Sequence, residues 1–228
     1  MSESWLRLLS DPEPWRAPSP RPDAIRTSRT VVRLYEQGDG PALFAAVATS
    51  RSTILPWMIW ALTDHLDVSH SVHYVERFRR LGEQPDCTNF PMGIFDPQTG
   101  ELIGGTGLHD ISTATGRAEI GYWIRGDRHG QGLCTEAVGA LISQSLRGAD
   151  AGGWGLRRIV IYNTDDNEPS RRVCQKLGLR LESRERASRY RGRVGEHPAG
   201  YHDTFGFGVL RDEWDFDADR AKPDIHWD

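Results

Sequence analysis

Residues 118–142 read AEIGYWIRGDRHGQGLCTEAVGALI, and this stretch decides the fold. Its first seven residues are strand-like. By the period of two, Glu119, Gly121 and Trp123 share one face. Its last residues, from Thr135 through Ala137, Val138, Leu141 and Ile142, follow a helical spacing. Between them stand Gly130 and Gly132. Glycine inside a helix costs about 1 kcal/mol relative to alanine, so two at a helix start need another reason. Strand, glycine loop and helix start together can make an anion site. The first N–H groups of a helix lack internal partners and carry the positive end of its dipole. A P-loop is excluded, because no lysine follows Gly132. A Rossmann fingerprint is incomplete, because Gly130-Gln131-Gly132 is followed by Leu133, Cys134 and Thr135 with no third glycine. A plain tight turn also accounts for the loop taken alone.

The rest of the chain supplies the context. Its 228 residues suit one domain with a real core, and 38% hydrophobic with 26% charged residues indicates a globular class. The longest apolar run, Leu55–Leu62, is too short to cross a bilayer. No secretory pattern opens the sequence. Cys87, Cys134 and Cys174 are odd in number and far apart, which fits a reduced cytoplasmic protein. A net charge of −4 argues against bulk binding of DNA or RNA.

Residues 10–22 hold five of the thirteen prolines, so residues 1–24 read as a proline-rich arm. A domain over 25–212 follows, then an acidic tail over 213–228. Strands are expected at 30–36, across FPMGIFD and ELIGGTGLHDI, at 117–125 and at 156–164, with two more late in the chain. A loop running into a helix is expected over 38–50, and helices over 68–83, 133–147 and 165–178. In the last, Asn167 caps, Pro169 sits in the first turn and Gly178 closes. The order is that of a mixed α/β domain in which an antiparallel meander feeds a helical crossover.

The two segments AEIGYWIRGDRHGQGLCTEAVGALI and LRRIVIYNTDDNEPSRRVCQKLGLRLES resemble the GNAT superfamily of acyl-CoA-dependent N-acetyltransferases, in its ribosomal-protein N-acetyltransferase branch. SRTVVRL, ILPWMIW and LIGGTGLHDI extend the resemblance over about 25–212. It implies a mostly antiparallel central sheet with flanking helices and one splayed parallel strand pair, here 118–124 and 157–163. The family's loop pattern, Q/R-x-x-G-x-G/A, falls on His129, Gly130, Gln131, Gly132, Leu133 and Cys134. Gly132 matches, whereas His129 and Cys134 depart. By resemblance the loop binds the pyrophosphate of acetyl-CoA, with Thr135 adding a hydroxyl and Arg125 or Arg128 the charge. The pantetheine arm pairs with backbone near Trp123, Ile124 and Arg125, and Asn167 helps to hold it. Trp57, Trp60 and Tyr162 are expected at the acceptor.

Acetyl transfer to an amine needs a base and a proton for the departing thiolate. Glu119 is the first candidate base; its simpler role is a strand carboxylate paired to Arg117 or Arg158. His109 is the second, against a structural histidine. The family's usual tyrosine acid falls on Cys174, so a tyrosine acid there is impossible. Ser170 matches the serine of the branch and is either a proton relay or a helix cap. His65, His70, His73, Asp64 and Asp67 show no recurring metal spacing, and no metal is expected. The arginines of SRERASRYRGR (183–193) read as a solvated strand, or as a contact for an acidic acceptor or the coenzyme's 3′-phosphate. The expected activity is acetylation of a primary amine, foremost a protein N-terminus. The alternatives are a small-molecule or antibiotic amine, or a non-catalytic acyl-CoA sensor. No DNA or membrane partner is expected, and a homodimer is possible.

Overall fold

A computed structural model of the chain describes residues 13–22 and 24–217. The rest of the arm and tail, Trp227 included, lies outside the described residues. The elements run β1 (Ile25–Arg26), β2 (Val31–Leu34), α1 (Gly40–Ile54), α2 (Val68–Gly82), β3 (Phe90–Phe95), β4 (Leu102–Ser112), β5 (Arg117–Ile124), α3 (Leu133–Leu146), β6 (Arg158–Thr164), α4 (Glu168–Lys176), β7 (Arg180–Arg191) and β8 (Gly200–Leu210). The strands form one eight-stranded sheet in the order β1-β2-β3-β4-β5-β6-β8-β7. Every neighbouring pair is antiparallel except β5 and β6. The sheet is therefore mixed and mostly antiparallel, as the sequence pattern implies.

The parallel pair is short. Arg117, Ala118 and Glu119 pair with Arg158, Ile159 and Val160, and the ladder then stops. β5 continues to Ile124 and β6 to Thr164 with a gap between them. The other edge of β6 is paired to β8 from Arg158 to Thr164.

Each face of the sheet carries a layer of helix. On one face α3 buries Leu133, Ala137, Val138, Leu141, Ile142 and Leu146, and α4 contributes Cys174, against β-strand residues such as Ile94, Ile120 and Ile159. Buried residues cover most of the circumference of α3, so packing on several sides stabilises a helix that follows two glycines. On the other face Leu43, Val47 and Ile54 of α1 and Val75 of α2 pack with Val31, Phe95 and Leu102.

The two-residue β1 is absent from the sequence reading; it is too short to show a period. The helix expected over 165–178 is shorter, because Asn167 accepts a bond from the Ser170 N–H and so marks its start. Packing also reaches into both flanking segments. The Trp15 indole N–H donates to the Trp154 carbonyl at 2.8 Å, and the Trp214 indole donates to Ser143 Oγ at 2.9 Å. Trp214 is buried in the α3 layer.

Gly107 shows how tightly β3 and β4 meet. A Cβ there would lie 2.7 Å from the Phe90 carbonyl oxygen and 2.9 Å from Pro91 Cα, both main-chain atoms that cannot swing aside. Gly107→Ala is expected to cost about 1–3 kcal/mol of stability, read as a lower Tm and urea midpoint; an unchanged midpoint would show that the strands can separate freely.

Candidate active site

The glycine loop begins the site. Gly130 and Gly132 have φ of +74° and +75°, the left-handed region that L side chains rarely adopt. Gly132 is the N-cap of α3, and no side chain caps this helix. The N–H groups of its first turn, at Leu133, Cys134 and Thr135, are thus free of side-chain acceptors and suit an anion.

An ion pair between a buried carboxylate and a half-buried arginine ties down the loop. Glu136, in the first turn of α3, has a side chain only 2% exposed, and its Oε2 lies 2.6 Å from an Arg29 guanidinium nitrogen. Its other oxygen accepts from Thr27 Oγ1 at 2.5 Å and from the Arg29 N–H at 3.0 Å. Arg29 in turn donates to the Gln131 carbonyl at 2.9 Å. The β1–β2 turn is thereby tied to the loop. Arg29 and Glu136 are 107 positions apart, and no spacing rule in the sequence joins them. Arg125 and Arg128, expected to supply charge, are engaged with Asp127 and Glu101 and with Asp96 and Glu101 respectively. Arg29 contacts the loop at the Gln131 carbonyl. Burial pushes the Cys134 thiol up to about 12 and the Cys174 thiol up to about 11, so neither is a thiolate near neutral pH.

The opened edge of β5 follows. Arg125 donates its N–H to the Ile103 carbonyl of β4 at 2.8 Å. Alternation along the strand turns the N–H groups of Trp123 and Arg125 toward β4 and that of Ile124 toward the gap. The Ile124 carbonyl faces the same way and meets His129 Nε2 at 2.9 Å. Across the gap, on β6, Asn163 Oδ1 is buried with no partner. An extended polar chain could pair with these groups, so the residues present fit the arm of coenzyme A.

A cavity of about 480 Å³ lies beside this edge, on the α1–α2 face. Glu119, Gly121 and Trp123 line it, as their shared strand face requires, together with His109, Trp60 and Tyr122. His109 and Glu119 are directly opposed in the β4–β5 register. A bulge beyond His109 places Asp110 at φ +47°, also on the cavity wall. Burial raises the Glu119 carboxyl pKa, and the Asp110 charge adds to that rise against Arg117 and Arg189. Burial lowers the His109 pKa, with Asp110 opposing. At neutral pH this leaves His109 uncharged and Glu119 a stronger base than an exposed glutamate.

Tyr122 was not singled out by the sequence. Its side chain crosses the gap from β5 to α4. Its hydroxyl lies 3.0 Å from Ser170 Oγ and 3.6 Å from Cys174 Sγ. Burial holds its phenol well above its ordinary pKa. Strand periodicity places Tyr122 away from Glu119, and only the divergence of β6 lets it reach α4 and line the cavity as well.

Two expected acceptor residues lie elsewhere. Trp57 packs edge-on against His197 at 5.0 Å and under the Arg191 guanidinium, beneath the β7–β8 hairpin. The Tyr162 hydroxyl accepts from Arg117 at 3.0 Å. Neither is among the residues lining the cavity. Asn167 acts as the cap of α4, as read. His65 is buried against Ser71, whereas His70 faces Asp67 on the surface. Among the described residues, the one cluster with metal-ligating geometry is Asp165, Asp166 and His202, and Arg191 already sits 2.5 Å from Asp166. The acids at 165–166 and the histidine at 202 meet only through β6–β8 pairing.

Comparison with known proteins bears on this site. The family described as "Acetyltransferase (GNAT) domain" matches residues 29–180. The chain is 26% identical to the Bacillus subtilis (strain 168) protein described as "Putative ribosomal N-acetyltransferase YdaF", over 81% of this chain and 92% of that one. It is 37% identical to the Escherichia coli (strain K12) ribosomal-protein-serine acetyltransferase over 36% of this chain and 43% of that one. Its fold is similar to that of RimL, a ribosomal L7/L12 α-N-protein acetyltransferase solved in complex with coenzyme A. The TM-score there is 0.71 at 21% identity, covering 82% of this chain and 98% of that one.

The Arg29–Glu136 pair yields a direct test. Glu136→Ala removes the acceptor shared by the Arg29 guanidinium, the Thr27 hydroxyl and the Arg29 N–H. Because Arg29 is 36% exposed and keeps the Gln131 carbonyl, the cost falls below that of a fully buried pair, at about 1–3 kcal/mol. Denaturant unfolding is expected to show a loss of this order, and a change below 1 kcal/mol would show that the pair does not hold the loop.

Proposed function

Because the chain belongs to the GNAT acetyltransferase family, we propose that it transfers the acetyl group of acetyl-CoA to a primary amine, foremost a protein N-terminus. One observation carries the reading: the free edge of β5 lies between an uncapped helix N-terminus and a cavity that holds Glu119. The relatives described as ribosomal N-acetyltransferases support the choice of a protein amine.

Each residue then has a role that its surroundings suit. The first turn of α3 holds the pyrophosphate, with Arg29 beside it. Ile124 offers its N–H on the opened edge, where a developing oxyanion needs a donor. An amine arrives protonated near neutral pH, and Glu119, its basicity raised by burial, accepts that proton. His109, opposite Glu119 and uncharged, shares the position without competing as a cation. Acetyl-CoA, when bound, supplies the acyl carbon and a thiolate leaving group. The paired hydroxyls of Tyr122 and Ser170 stand at the gap and supply the proton that a thiolate takes up. Cys174, with its raised pKa, packs behind them and forms no acyl-enzyme.

Saturating acetyl-CoA and coenzyme A are expected to raise Tm, since a ligand at 100 times its Kd stabilises by about 2.7 kcal/mol. ATP and NAD at equal concentration are expected to leave Tm unchanged. Glu119→Gln is expected to retain that shift and to lose about 10²-fold or more in kcat. Because the ionised carboxylate is the active form and its pKa is raised, wild-type kcat/KM falls on the acid side at a pH above the ordinary glutamate range. The Gln variant lacks that limb. Full kcat in Glu119→Gln would remove Glu119 as the base.

A further inference from the structure

The charges around the cavity are unbalanced. Asp64, Asp110 and Glu119 line it against a single arginine, Arg189. Away from the cavity, six acids, Asp39, Asp127, Glu136, Glu168, Glu182 and Asp203, each hold an arginine. The three cavity carboxylates make no such ion pair among the described residues. Asp64 accepts only from its neighbour Thr63, at 3.2 Å. The histidines do not compensate, because burial lowers the pKa of both His65 and His109.

The acids sit at two ends. Asp110 acts on Glu119 and His109, at the sheet. Asp64 acts on His65 and Tyr74, at the far wall. That wall is aromatic. Trp60 lies 6.4 Å from Trp123 and 5.7 Å from His65, and His65 lies 4.9 Å from Tyr74. It is also fixed in place. Arg51 donates to the carbonyls of Ala61 and Asp64 and, at 2.5 Å, to that of His65. His65 itself holds a φ of +54° and bonds Ser71 at 2.9 Å.

We infer that the acceptor carries a second cationic group besides the reacting amine, and that this group seats between Asp64 and the rings of Trp60 and Tyr74. The inference rests on the amine-acetylation reading above. The reacting amine meets Glu119 and Asp110 at the sheet. A neutral extension would cover Asp64 and strip its water without return, whereas an ammonium or guanidinium pairs with it and gains the aromatic faces. A diamine and a protein N-terminus followed closely by a lysine or arginine present the same chemistry.

The test compares matched acceptors with the full chain. Calorimetric titration of the coenzyme A-bound protein uses butylamine against 1,4-diaminobutane, and the peptide Ala-Leu-Ala-Ala against Ala-Lys-Ala-Ala. Thiol release from acetyl-CoA gives kcat/KM for the same four. The dicationic member of at least one pair is expected to bind about tenfold more tightly, a difference of about 1.4 kcal/mol, and the pair that shows it identifies the source. In Asp64→Asn the ratio is expected to fall toward one. A ratio below threefold in both pairs overturns the inference, as does a ratio that Asp64→Asn leaves intact, or binding of none of the four. Absence of thiol release with every amine would overturn the acetyl-transfer reading instead, while the calorimetric ratio would still decide the second cation.

Discussion

The whole site depends on a ladder that stops early. β5 and β6 share three residue pairs and then separate, although each continues as a strand for several residues. A parallel pair buried in the middle of a sheet ordinarily keeps its main-chain bonds, because unpaired groups there are costly. Here the loss is contained from both sides. β6 keeps seven pairs with β8. β5 keeps β4 up to Ile124. Each strand gives up one edge only, and the two free edges face each other. Tyr122 reaches across the gap to Ser170 on α4.

Strand alternation then distributes the chemistry. Side chains of β5 at 119, 121 and 123 face the cavity, and the main chain at 124 faces the gap. A proton acceptor and a main-chain donor therefore meet at one strand without sharing an edge. The loop that follows β5 needs no lysine, because the uncapped start of α3 offers N–H groups directly. What the loop does need is a fixed path. Two left-handed glycines supply the turn, and the Arg29–Glu136 pair anchors it from the far end of the sheet.

This division explains what could be read from the sequence. The strand–loop–helix unit at 117–146 was legible because all of its determinants are local: a period of two, two glycines and apolar residues at a helical spacing. The cap at Asn167 was legible for the same reason. The position of Glu119 on the cavity face also followed from its period. Arg29, Tyr122 and Asp64 were not legible as parts of a site. Arg29 reaches the loop across the sheet, and Tyr122 reaches α4 only because a ladder is missing. The side on which Trp57 lies was not legible, because an aromatic near the first helix can turn either toward the cavity or beneath the β7–β8 hairpin. The chain turns it to the hairpin, where Arg191 covers it.

Burial acts on the cavity's titratable groups in one direction. It raises the pKa of Glu119 and of Tyr122 and lowers those of His65 and His109, so each is shifted toward its neutral form. Such a site resists holding net charge by itself. In the proposed reaction Glu119 gains from meeting an ammonium, and transfer of the proton leaves both partners neutral in a place that favours neutrality. The amine is thereby left in the form that can attack. The same logic separates the base from the remaining acids. Asp110 and Asp64 are both exposed; Asp110 adds to the rise that burial gives Glu119, whereas Asp64 stands at the opposite wall with Trp60 and Tyr74. On the proposed reading one carboxylate is matched to the chemistry and another to the molecule that brings the amine.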